Sequence, residues 1–110
     1  MEDYRFFEQL TALSGDVQPD SILSRTLLKN DHLNAVLFTF DKGQSLSPHT
    51  ATQPAVIHIL SGEAALTLGD DVKQAKAGSW TYMPEHLPHA VVAETPLIML
   101  LLLLPKDKSA

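Results

Sequence analysis

From Ile22 onward, apolar residues come in short runs separated by polar turn residues. Ile22 to Leu28 and Leu33 to Phe40 flank Asn30-Asp31, and Asp41-Lys42-Gly43 ends the second run. Val56 to Leu60, Ala64 to Leu68, Val72 to Ala75, Trp80 to Met83 and His89 to Ala93 continue the series, which Leu97 to Leu104 closes. Short runs at even spacing, with turn chemistry between them, predict an all-β sandwich or barrel. The texture before Ile22 is different. Phe6, Phe7, Leu10 and Leu13 recur at helical spacing and Ser14-Gly15 supplies a stop, which predicts a short N-terminal helix from about Asp3 to Leu13. The predicted organisation is a lead-in over 1–19, a barrel over 20–104 and a polar, frayed tail over 105–110.

Leu97 to Leu104 is apolar throughout and is bounded by Pro96 and Pro105. A membrane-spanning helix needs about 20 apolar residues, so this run is far too short for one. Prolines at its ends suit a strand entering and leaving a sheet, and unbroken apolarity predicts that both of its faces are covered.

Two segments carry histidines at matching spacings. The first runs Gly43, five residues, His49-Thr50-Ala51, three residues, Ala55, six residues, Gly62. The second runs Gly78, five residues, Pro84-Glu85-His86, two residues, His89, three residues, Ala93. Fifteen residues lie between Gly62 and Gly78. This pattern resembles the two signatures of the cupin family, whose first reads Gly, His-x-His, Glu, Gly and whose second reads Gly, Pro-x-Gly, His, Asn. The resemblance implies a cupin-type jelly-roll β-barrel. It further implies that His49 and His89 face each other across a small cavity, at two of the family's metal-ligand positions. Ala51 and Ala55 stand where the family has a histidine and a glutamate, and His86 takes the glycine position of Pro-x-Gly.

Imidazole suits a divalent Zn, Ni, Mn or Fe ion, and an open metal site generally takes three protein ligands. Two histidines fall short of that count, so a third ligand has to come from Gln53, His58 or His86. Strand side chains alternate between faces. If position 55 points inward, so do Ile57 and Ile59, and His58 points outward; a β-bulge would reverse that parity. His86 reads as an exposed loop residue, His32 as a surface turn residue, and Glu85 and Glu94 as solvated loop charges. Trp80 and Tyr82 share one strand face and belong either to a ligand cavity or to the core.

Bulk properties narrow the classes. The 110 residues make one domain, and the chain has no cysteine for a disulfide or thiolate site. A net charge of −5 with dispersed lysines and arginines excludes a basic nucleic-acid surface. Glu2 and Asp3 stand where a secretory leader would be basic, so the expected location is cytoplasmic, with no membrane partner. Two readings follow. One is a binding module that holds a small molecule in the barrel mouth. The other is a metal-dependent enzyme of dioxygenase, isomerase or lyase type that uses His49, His89 and a substitute ligand. A homodimer is expected in either case, because cupins commonly pair sheets across a two-fold axis.

Overall fold

The computed structural model describes residues 4–105, so the tail expected beyond Pro105 lies outside the described residues. β1 (Ile22–Lys29) and β2 (Asn34–Phe40) form an antiparallel hairpin. Asn30 makes the turn: its Oδ1 accepts the amides of His32 and Leu33 at 2.8 and 3.0 Å. Such a side-chain turn is the reason asparagine recurs at strand reversals. β3 (Ser45–His49), β4 (Ala55–Ser61), β5 (Glu63–Leu68) and β6 (Asp71–Lys76) follow. β7 (Trp80–Met83), β8 (His89–Ala93) and β9 (Leu97–Leu103) complete the order.

The strands make a five-stranded sheet, β1-β2-β9-β4-β7, and a four-stranded sheet, β3-β8-β5-β6. Alternate residues of both sheets fill the space between them. Phe40, Ile57, Ile59, Leu66, Met83, Val91, Leu97 and Met99 form its centre, and each is at most 3 % exposed. Two antiparallel sheets closed over one core in this strand order are a jelly-roll β-barrel.

The expected short N-terminal helix is present as a single 3-10 turn, Leu10–Leu13, without a side-chain cap at Gln9. Phe6 is 75 % exposed, so the spacing of the apolar residues upstream gives no face to bury, and short helices depend on such burial. Ser61-Gly62-Glu63, between two adjacent apolar runs, is a corner and not a hairpin turn, because β4 and β5 belong to different sheets. β3 carries no apolar run and was not expected as a strand. It is an edge strand, where Pro48 costs no ladder bond, and its register against β8 shifts between Leu46 and His49.

β9 sits between β2 and β4, as its apolarity demands. Its two faces differ, however. Leu97, Met99, Leu101 and Leu103 point to the core, whereas Ile98, Leu100 and Leu102 on the outer face are only half-buried. The ladders extend that outer face into rows that cross the sheet. One row is Leu28, Ala35, Leu102, Val56 and Tyr82; the next is Arg25, Leu37, Leu100, His58 and Trp80. The lead-in reaches one end of this face, where the Thr39 hydroxyl donates to the Ser14 carbonyl at 3.5 Å. Among the described residues, no helix is long and apolar enough to cross a membrane.

Candidate functional site

β3 and β8 are neighbours in the four-stranded sheet, and their ladder ends with His49 directly opposite His89. On β8, His89 shares the inward parity of Val91 and Ala93 and is 9 % exposed. His49 is exposed, so the pair runs from solvent to the edge of the core. The ring centroids are 4.2 Å apart with planes at 61°, an edge-on arrangement.

Each ring is held by its own strand. Nδ1 of His49 lies 2.8 Å from the Ser47 carbonyl and Nδ1 of His89 lies 2.9 Å from the Leu87 carbonyl, in both cases two residues upstream. A carbonyl oxygen only accepts, so each Nδ1 carries the proton and donates. In the neutral rings that leaves both Nε2 atoms as lone-pair acceptors. Fixing Nδ1 on a backbone carbonyl is also how proteins commonly orient an imidazole whose Nε2 binds something else.

The two alanines at the lost ligand positions differ in their surroundings. Ala55 is 2 % exposed and part of the core, opposite Met83 on β7 and Leu103 on β9. Ala51 lies in the loop before β4, where its carbonyl accepts the His86 amide at 2.8 Å and so ties the two motif loops together. His86 itself is exposed and has φ of +68°, a left-handed conformation that the family's glycine would adopt without strain.

The other candidates lie elsewhere. His58 is on the outer face of the five-stranded sheet, opposite Trp80 and Leu100. The ladder runs without a shift from Ala55 to His58, so no bulge turns it inward. Gln53 donates from Nε2 to the Leu104 carbonyl at 3.1 Å, and it lines a separate cleft with Lys29, Asn34 and Leu103. Glu85 and Glu94 are exposed. Trp80 and Tyr82, 62 % and 50 % exposed, line the outer face and belong to neither the core nor the histidine pair. Among the described residues, no three His, Cys, Asp or Glu side chains converge to hold a metal. The donors present therefore fit a pair of ligands and not the three that an open metal site generally takes.

A jelly-roll barrel with a histidine from each of two motif strands meeting at one end of its core defines the class to which the molecule belongs. The comparison with known families agrees: the cupin domain model matches residues 36–104, and the chain belongs to that family. It is similar to a conserved protein of unknown function from Streptococcus pyogenes, with 30 % identity and a TM-score of 0.84 over 96 % of this chain and 92 % of that one. It is also similar to a cupin superfamily protein from Desulfitobacterium hafniense, at 26 % identity and TM-score 0.79, over 83 % of this chain and 84 % of that one. A cupin 2 conserved barrel domain protein from Leptotrichia buccalis is 32 % identical with a TM-score of 0.77; the match covers 91 % of this chain and 47 % of that one. No protein among those with curated functions matches the chain.

Proposed function

We propose that this chain is a small-molecule-binding barrel whose recognition element is the pair of Nε2 lone pairs on His49 and His89. The observation that carries the reading is the parallel anchoring of both Nδ1 atoms on backbone carbonyls. It presents two acceptors at the end of an apolar core, with alanines at positions 51 and 55 where the family has further ligands. A small molecule with hydrogen-bond donors matches that arrangement. A divalent ion bound here would have two protein ligands, with its remaining positions left to water or to the bound molecule.

Metal analysis of protein purified without chelators separates this reading from a metal-dependent enzyme. Substoichiometric metal, together with side-chain nitrogen spectra that place the proton of both histidines on Nδ1 at neutral pH, is the expected result. One tightly held ion per chain, lost in both His49→Ala and His89→Ala, would overturn it in favour of the enzyme.

The reading includes a homodimer formed through the outer face of the five-stranded sheet. Its support is the outer face of β9, where Ile98, Leu100 and Leu102 are only half-buried, and its continuation to the exposed Trp80 and Tyr82 of β7. Light scattering at micromolar concentration should give twice the chain mass, and Leu100→Lys should halve it while the β-type circular dichroism persists. A monomer mass for the unaltered chain would count against the dimer.

A further inference from the structure

β6 and β7 are the last strands of their respective sheets, and the chain passes directly from one to the other through Ala77-Gly78-Ser79. The turn is pinned: the Gly78 amide donates to the Ile59 carbonyl at 2.8 Å and the Ile59 amide donates to the Ser79 carbonyl at 2.9 Å. Beyond that turn the two edges are not paired with each other, and a cleft of about 380 Å³ opens between them into the side of the barrel. Its floor is core: Leu66, Leu68 and Ala75 from the four-stranded sheet, faced by Thr81 of β7. Trp80 stands at the rim.

One charge belongs to this cleft. Lys73 is opposite Leu66 in the β5–β6 ladder, so its stem leaves the inward face of β6, and the exposed side chain lines the cleft. Asp71, the next inward position on β6, is opposite Leu68 at the strand end and does not line the cleft. An edge lysine is a common way to protect an unpaired strand. That role explains the charge; the apolar cleft beneath it, of a size typical of ligand sites, is a separate feature.

We propose that the cleft between β6 and β7 binds a small carboxylic acid with an apolar body. The body packs on Leu66, Leu68 and Ala75, and the carboxylate pairs with Lys73. This site is distinct from the histidine pair, although the two share a wall. Leu68 is the cross-strand partner of His89, and both face inward.

Trp80 is the only tryptophan of the chain, which makes the cleft directly observable by fluorescence. The probes are octanoate and octanol, which differ in charge and share the chain, titrated at fixed protein concentration with light scattering alongside. Octanoate should shift Trp80 emission saturably, and octanol should do so about 1.5- to fivefold more weakly, the range expected of a solvent-accessible ion pair. Lys73→Met, a surface change that leaves the floor intact, should erase the preference for the acid and keep the octanol response. The proposal is overturned if neither probe saturates, if the preference survives in Lys73→Met, or if the emission change follows a change in assembly mass.

Discussion

Ala55 and Met83 face each other across the β4–β7 ladder, 2 % and 1 % exposed, at the place where the family's glutamate ligand would enter the barrel. The cross-strand neighbours of position 55, Met83 and Leu103, offer a carboxylate no partner. Ala55→Glu alone should therefore lower stability by about 3 kcal/mol or more at neutral pH, since a buried, unpaired charge is costly. Ala51→His combined with Ala55→Glu should recover much of that loss when zinc or nickel is added, because metal bound only by the folded state stabilises it. Thermal unfolding with and without the ion reads both effects. A double variant indifferent to metal would mean that these two positions do not converge on His49 and His89.

Gly62 has φ of +90°, and a Cβ built on it would collide with the Pro96 carbonyl and crowd the Thr95 hydroxyl. The closest contact is with a backbone carbonyl, which cannot swing away as a side chain can. Gly62→Ala should cost about 3 kcal/mol or more, the sum of an unfavourable conformation and a steric shift. Gly43 has a similar φ of +85° but open space around it, so Gly43→Ala should cost only about 1 kcal/mol. Denaturant titration of the two variants checks the difference, and equal losses would remove the close approach as its cause.

His86→Gly should stabilise the chain by about 1 kcal/mol. The residue is exposed, and its backbone amide donates to the Ala51 carbonyl, a bond that glycine keeps. Its φ of +68° is unfavourable for a side-chain-bearing residue. A loss of stability would indicate that the imidazole makes a contact that outweighs the strain.

Deletion of residues 1–14 should lower the melting temperature and leave a β-type circular dichroism spectrum. The lead-in touches the outer face through the Ser14 carbonyl and lies outside the ladders of both sheets. Complete unfolding on deletion would make it part of the core.

Much of the barrel is legible in the sequence because burial alternates along strands. Ala55, Ile57 and Ile59 turn inward, and His58 turns outward by the same rule. The parts that are not legible are those in which hydrophobicity carries no signal. β3 is written Ser-Leu-Ser-Pro-His and is held by its ladder to β8 more than by its own composition. The corner at Gly62 looks like a hairpin turn because sequence spacing does not record which sheet a strand joins. For the site, motif spacing brings His49 and His89 together. The anchoring of both rings on Ser47 and Leu87 could not be foreseen, since any residue type supplies a carbonyl. The outward placement of Trp80 and Tyr82 follows from parity once Met83 is known to be core.

Because each imidazole is braced by a carbonyl of its own strand, the two rings are independently mounted. Neither relies on the other, or on a neighbour at position 51 or 55, for its orientation or its tautomer. Donors can thus be added to or removed from this end of the barrel one at a time while those that remain keep their aim. A scaffold with that modularity can pass between two-, three- and four-donor versions by single substitutions, without an intermediate in which the surviving groups are misdirected.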